Sequence, residues 1–171
     1  MSSSLSVSAL LVLLLLSACD RPAAPPPATD VTERAPTAAE VREAWQTVRD
    51  TLMDIDSPAI WHGPNGEAWL LVSAKAGDLI RVHEAATGKW LRDVGTTGRG
   101  PAQFERPNGL AVSGDLLWVV ERDGRRVQVL QLPAFTPLGS YGEDDLVKPY
   151  GVTIADQGAG RYRTWITDSY E

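Results

Sequence analysis

Residues 107–141 read PNGLAVSGDLLWVVERDGRRVQVLQLPAFTPLGSY, and this stretch decides the fold. Within it, pairs such as Asp123-Gly124 separate short segments rich in Val, Leu and Trp, a pattern typical of antiparallel β-hairpins. The segments number four, at residues 109–112, 117–121, 126–132 and 136–141. The stretch therefore predicts one four-stranded antiparallel sheet.

The same pattern occurs three times along the chain. Each copy opens with a proline and a short apolar run and continues with a strand that begins at a tryptophan. The prolines are Pro58, Pro107 and Pro149, and the tryptophans Trp69, Trp118 and Trp165 are 49 and 47 residues apart. In the first copy, residues 78–84 and 89–94 supply the two outer strands. Four antiparallel strands in a repeat of this length are typical of a β-propeller blade, so the sequence predicts an all-β fold.

The number of repeats sets an expectation about the architecture. Residues 54–171 amount to about two and a half blades, whereas closed propellers contain roughly four to eight. A partial ring leaves strand edges unpaired. We therefore expect the N-terminal part of a longer propeller, six-bladed by the resemblance described below, or a truncated product. Association of several copies into a ring is the alternative.

The N-terminal residues have the pattern of an export signal. Residues 10–16 form an uninterrupted apolar run followed by small residues, which is typical of a secretory signal peptide over residues 1–18. Leu16-Ser17-Ala18-Cys19 resembles the bacterial lipobox, which implies cleavage before Cys19 and acylation of its thiol. We expect an exported protein, periplasmic or on the cell surface, that a lipid at Cys19 anchors to a bacterial membrane.

Two short segments separate this signal from the repeats. Residues 19–36 are rich in Pro and Ala and contain too few apolar side chains to offset the entropy of ordering, so they predict a disordered tether. Residues 37–53 begin with Thr37-Ala38-Ala39-Glu40, which has the spacing of a helix capping box. They predict either a short helix or an extended lead-in to the first blade.

Composition and missing motifs exclude several functions. A net charge of −6 without a basic patch argues against nucleic-acid binding. The chain has no phosphate loop, nucleophile elbow or paired-His metal motif. We expect His62 and His83 to be solvated surface residues and residues 95–100 to be a turn. An acidic protein that binds a polyanion needs bridging metal ions, and calcium suits carboxylates on loops.

Residues 54–61, DIDSPAIW, resemble the DADDPAIW signature of the β-propeller phytases at six of eight positions. Residues 72–79 with 87–89 resemble that family's Thr-Asp-Lys-x-Gly-Gly-Leu strand and glycine turn. Residues 149–152, 160–162 and 166–168 resemble its later Tyr-Gly-Phe segment and Val-Thr strand. The resemblance covers residues 54–171.

The resemblance implies a function and a set of site residues. It implies a six-bladed propeller and a 3-phytase-type phosphomonoesterase, in which calcium activates the water that attacks phytate, myo-inositol hexakisphosphate. By position, Asp56 is the implied calcium ligand, and Asp54 is a weaker one. Lys75, Arg122 and Tyr150 are the implied phosphate-binding residues.

Departures from that family limit what this fragment is expected to do. Ser57 replaces an acidic residue, and Ser169 or Tyr170 stands where a second phosphate-binding lysine is expected. The acidic residues that complete the family's metal cluster would lie beyond Glu171. We therefore expect weak calcium binding and no hydrolysis by this fragment alone.

A second family competes for the middle of the chain. Residues 98–104 and 107–112, followed by residues 121–129, are similar to an NHL repeat. That family implies a propeller scaffold for binding other molecules, without catalysis. The two interpretations share a fold but not a function.

Overall fold

The apolar segments of residues 107–141 form the four strands that the sequence predicts. The computed structural model describes residues 42–169, which belong to one compact unit and contain ten strands and no helix. The strands are β1 (Ile55–His62), β2 (Ala68–Ala74), β3 (Leu79–Glu84), β4 (Trp90–Val94), β5 (Pro107–Ser113), β6 (Leu116–Glu121), β7 (Arg126–Gln131), β8 (Thr136–Tyr141), β9 (Pro149–Asp156) and β10 (Tyr162–Asp168). The signal peptide, Cys19, the tether and the capping-box residues lie outside the described residues.

The strands form three separate antiparallel sheets. Blade 1 has the order β1-β2-β3-β4, blade 2 has the order β5-β6-β7-β8, and the third sheet pairs β9 with β10. Each strand pairs with its neighbour in sequence, as in a propeller blade. The sheets do not close on one another. The fold is therefore all-β and a partial propeller, with two complete blades and the first two strands of a third.

The structure corrects the alignment of the first repeat. Backbone amides of Lys75, Arg122 and Ser169 donate to the carbonyls of Asp54, Arg106 and Lys148 at 3.2, 3.0 and 3.1 Å. Measured at these residues, the repeat is 47 residues in both steps. The strand registers accordingly make Ile55, and not Pro58, the residue of blade 1 that is equivalent to Pro107 and Pro149. Trp69 is likewise two positions away from the residue equivalent to Trp118.

Apolar cores form between successive sheets. The first core joins blades 1 and 2 and includes Trp61, Leu71, Phe104 and Leu117, each at most 1% exposed. The second lies between blade 2 and the third sheet, where the Trp118 and Tyr162 rings meet edge to face with centroids 5.0 Å apart. Burial of these side chains holds the sheets face to face.

The loop over residues 95–106 fastens blade 1 to blade 2. Its Phe104 is fully buried, and a Cβ at Gly95 would come within 2.4 Å of that ring, so Gly95 leaves room for it. Glu121, also fully buried, accepts a hydrogen bond from Arg126 Nε at 2.8 Å. Arg126 donates in turn to the carbonyls of Arg99 and Gln103 at 2.7 and 3.1 Å. As predicted, the glycine-rich residues 95–100 form a turn and not the start of a helix.

Residues 42–53 form no helix, so the extended alternative describes this part of the lead-in. Tertiary contacts outweigh the local helix signal. The Trp45 indole donates to Ala85 O at 3.1 Å, and its ring lies so close to Gly88 that a Cβ there would be 2.4 Å away. Asp50 accepts from the amides of Leu52 and Met53 and forms an ion pair with Arg81 at 2.8 Å.

The lead-in also explains why one prediction about histidine is wrong. His83 is only 7% exposed, and it lines a pocket together with the lead-in residues Trp45, Thr47 and Val48. Its Nδ1 is 2.9 Å from Gly88 O. A carbonyl can only accept, so Nδ1 donates and carries the proton. His62, as predicted, is exposed.

Over residues 42–169 we find no helix of the length and apolar character that crossing a bilayer requires.

Candidate functional site

The turns between the second and third strand of each blade lie at the same end as the loops that connect successive blades. We call this end the upper face; it carries residues 75–78, 95–106, 122–125 and 142–148. All five site residues that the sequence predicts among the described residues lie at this end of their strands. Lys75 and Arg122 occupy equivalent positions in blades 1 and 2, and Asp56 and Tyr150 occupy equivalent positions in blade 1 and the third sheet.

The equivalences follow from the strand registers. Lys75, Arg122 and Ser169 each follow the last residue of a second strand, as their matching backbone hydrogen bonds show. Asp56, Asn108 and Tyr150 each occupy the second position of an inner strand, next to an irregularity in its pairing. The predicted phosphate-binding residues Lys75 and Arg122 are thus one position on two blades.

The irregularity in the inner strands has a physical cause. The amide of Ser57 donates to Ser73 Oγ at 3.0 Å, and the amide of Gly151 donates to Thr167 Oγ1 at 2.8 Å, so hydroxyl groups replace the usual ladder partners. At the equivalent position in β5, a Cβ on Gly109 would come within 2.6 Å of Tyr150 O. Only glycine allows the two inner strands to approach this closely.

Three of the predicted residues meet at Lys75, which forms an ion pair with each of two aspartates. Lys75 Nζ lies 3.4 Å from Asp54 Oδ2 and 3.6 Å from Asp56 Oδ2. The Lys75 side chain is mostly buried, with 13% exposed, whereas Asp54 is 47% exposed. Asp56 Oδ2 is buried and accepts no hydrogen bond from the described residues. The predicted calcium ligands and one predicted phosphate-binding residue therefore form a single cluster.

Two residues that the sequence analysis missed complete this cluster. Arg106 Nη2 is 3.4 Å from Asp54 Oδ2, and the Arg106 amide donates to Asp78 Oδ1 at 2.7 Å. We call Asp54, Asp56, Lys75, Asp78 and Arg106 the rim cluster. Arg106 is the structural equivalent of Asp54. Aligning the repeats by their prolines conceals this relation, whereas aligning them at Lys75 and Arg122 would show it.

The backbone is strained at the rim cluster. Asp54, Asp78 and Arg106 have φ angles of 50°, 52° and 55°, in the left-handed region that non-glycine residues seldom adopt. Aspartate tolerates this conformation, but arginine rarely adopts it. Such strain persists only where surrounding contacts hold it, and it is frequent at functional sites.

Over residues 42–169, the side chains of the remaining predicted residues, Arg122 and Tyr150, form no ion pair or hydrogen bond with the side chains of the rim cluster. Arg122 Nη1 is 3.5 Å from Asp123 Oδ1, and its backbone is linked to Arg106. Tyr150 is 43% exposed on β9. Asn108, which stands between Asp56 and Tyr150 in the series of inner strands, is fully buried, and neither its side-chain oxygen nor its side-chain nitrogen has a hydrogen-bond partner among the described residues.

An open polar groove of about 560 Å³ runs past the rim cluster. Two cationic and three anionic side chains line it: Lys75, Arg106, Asp78, Glu105 and Asp123. The lining is thus negative by one charge. A polyanionic ligand would be repelled here unless added cations offset that charge.

The described carboxylates fit part of a calcium site. Asp54 and Asp56 present oxygens at one end of blade 1, and Asp56 Oδ2, which accepts no hydrogen bond there, already lies 3.6 Å from one cation, the Lys75 ammonium. Calcium takes six to eight oxygen ligands. Over residues 42–169, no group of three or more Asp, Glu, His or Cys side chains is arranged to hold a metal. These two residues can therefore supply only some of the ligands.

Comparison with known proteins shows the fold and no family. No protein-family model matches the chain, and no curated protein matches it. Among solved structures, hydrazine synthase of Kuenenia stuttgartiensis, which contains β-propeller domains, matches with a TM-score of 0.52 and 20% sequence identity. The match covers 75% of this chain and 33% of the other, so this chain spans about a third of its neighbour's length. At this identity the likeness supports the fold alone, an all-β partial propeller.

Proposed function

We propose that this chain is the N-terminal portion of an exported, calcium-dependent phosphomonoesterase that acts on phytate or a similar phosphorylated small molecule. One observation carries the proposal. Asp54 and Asp56, both predicted from the sequence, each form an ion pair with Lys75, also predicted, at the upper face. Arg122 and Tyr150 occupy the equivalent positions on the next two sheets.

The rim cluster and its neighbours would divide the work of binding. Lys75 and Arg122 would contact phosphate through charge-assisted hydrogen bonds, and Tyr150 would add a neutral donor. Asp56, with Asp54, would hold calcium on the same face. Calcium, when bound, supplies positive charge that offsets the phosphoryl oxygens and makes a water molecule more acidic. The negative lining of the groove explains why cations would be required.

A phosphate-release assay tests the proposal. The parent protein with its complete propeller should release phosphate from phytate in calcium and lose that activity in a chelator, and the 171-residue chain alone should be inactive. Lys75→Met should abolish the parent's activity. Lys89→Met, on the exposed turn at the opposite end of blade 1, is the matched control. Release that persists without calcium would refute the calcium mechanism.

A non-catalytic binding module of the NHL type is the second candidate. The NHL-like residues 98–104 favour it, because they form the loop that fastens blades 1 and 2 and bury Phe104 completely. In that case the upper face would bind a ligand without changing it. Phytate that binds to the parent protein but is recovered intact in every divalent metal would support this candidate.

A further inference from the structure

We propose that Arg106 is a phosphate-binding residue and that Asp54 is the counter-ion that holds Arg106 and Lys75 ready for the phosphate group. This inference deepens the proposed function and reassigns one residue within it. Asp56 keeps its role as a calcium ligand. Asp54 becomes a positioning residue that an incoming phosphate displaces.

The geometry of one oxygen atom is the first argument. Asp54 Oδ2 lies 3.4 Å from Lys75 Nζ and 3.4 Å from Arg106 Nη2. The two nitrogens come from different blades and can be no more than 6.8 Å apart. Two cations at this separation can bind two oxygens of one phosphate, as Arg and Lys commonly do.

The partners of the two cations are the second argument. The Arg106 Nε is buried and has no hydrogen-bond partner among the described residues, so part of this guanidinium is held away from water without compensation. The Asp54 side chain, at 47%, is more exposed than either cation that it pairs with, Lys75 at 13% or Arg106 at 36%. The Asp54 carboxylate can therefore turn toward solvent, whereas Lys75 and the Arg106 backbone remain fixed.

The backbone holds Arg106 in position. Its φ of 55° is costly for arginine, and two hydrogen bonds fix this conformation: Arg106 N to Asp78 Oδ1 at 2.7 Å, and Arg122 N to Arg106 O at 3.0 Å. Asp78 is itself held by Thr97 Oγ1 at 2.8 Å. A cation presented on a strained but well-supported backbone is preorganised for binding.

The test measures inorganic phosphate binding to the purified chain by calorimetry in a calcium chelator, at low salt. Asp54→Asn should tighten binding about fivefold, because it removes the anion that competes for both cations. Glu105→Gln is the matched control. It removes one negative charge from the groove beside the rim cluster, and among the described residues its carboxylate pairs with Arg99 and not with a proposed phosphate-binding residue, so its effect should be smaller than twofold. Arg106→Gln should weaken binding about tenfold or more, with Arg106→Lys intermediate.

Each outcome is decisive. If Asp54→Asn weakens binding or matches Glu105→Gln, Asp54 is not the counter-ion. If Arg106→Gln binds phosphate as the unmodified chain does, Arg106 is not a ligand. Absence of phosphate binding by both the chain and Asp54→Asn would also overturn the inference. The chelator removes calcium, and the experiment measures binding and not hydrolysis. These results therefore test the roles of Asp54 and Arg106 even if the proposed phosphatase activity proves to be absent.

Discussion

Replacing Arg126 by leucine should weaken the network that holds the loop over residues 95–106 on blade 2. Arg126 is 6% exposed and Glu121 is fully buried, so the change leaves a carboxylate without its cation in the interior. Breaking a buried ion pair from one side costs about 3–5 kcal/mol. The hydrogen bonds to Arg99 O and Gln103 O are lost as well. Gln128 Nε2 and the Glu105 amide still donate to Glu121, at 2.7 and 2.9 Å. We therefore expect Arg126→Leu to lower the free energy of unfolding by about 4 kcal/mol.

Urea unfolding followed by tryptophan fluorescence measures this loss. With a slope of about 1–3 kcal/mol per molar urea, the midpoint should fall by roughly 1.3–4 M. Arg163→Leu is the matched control, because Arg163 is exposed on β10 and lies 6.0 Å from the Trp165 ring centroid. It should cost less than about 0.5 kcal/mol.

A second variant separates the buried charge from the lost packing. Glu121→Leu combined with Arg126→Leu removes both charges, so it should recover a large part of the stability that Arg126→Leu loses. If Arg126→Leu is no less stable than Arg163→Leu, the network does not fasten the blades. If the double variant is less stable than Arg126→Leu, the unpaired carboxylate is not the cause of the loss.

Two further predictions concern other parts of blade 1 and its neighbour. Phe104→Ala should cost about 3–5 kcal/mol in urea unfolding, since the ring is fully buried, whereas Leu138→Ala, 57% exposed, should cost little; equal effects would contradict the inter-blade core. Hydrogen bonds from Arg81 and from the Leu52 amide lower the pKa of Asp50. Burial acts to raise the pKa of Asp93, but hydrogen bonds from Arg81 and Trp90 outweigh burial, so the pKa of Asp93 is also lowered. The stability that the two ionised aspartates contribute is fully present above pH 3.8, their ordinary pKa, and is lost as pH falls through the lower pKa values that they have in the folded chain. Arg81→Gln should therefore flatten the fall of Tm below pH 3.8. Parallel curves of Tm against pH for this variant and the unmodified chain would refute this.

Local pattern was sufficient to locate the strands. The segments predicted at residues 117–121 and 136–141 are β6 and β8 within one residue, because short apolar runs between turn-forming pairs have few alternatives. The strands predicted at residues 78–84 and 89–94 are confirmed in the same way. The same local signals failed for the lead-in, where a capping-box spacing suggested a helix. There the Trp45 contact with the turn at Gly88 determines the path of the chain.

The sequence by itself determined the all-β class, the four-stranded blade and three residues of the rim cluster, Asp54, Asp56 and Lys75. Only the tertiary structure decided how the blades align with one another. A proline can begin a strand at more than one register, whereas the hydrogen bonds of Lys75 and Arg122 define a single register for both blades. Arg106 is 31 residues from Lys75 in sequence and shares one carboxylate oxygen with it in space. Such a contact depends on the packing of two sheets, which no local pattern records.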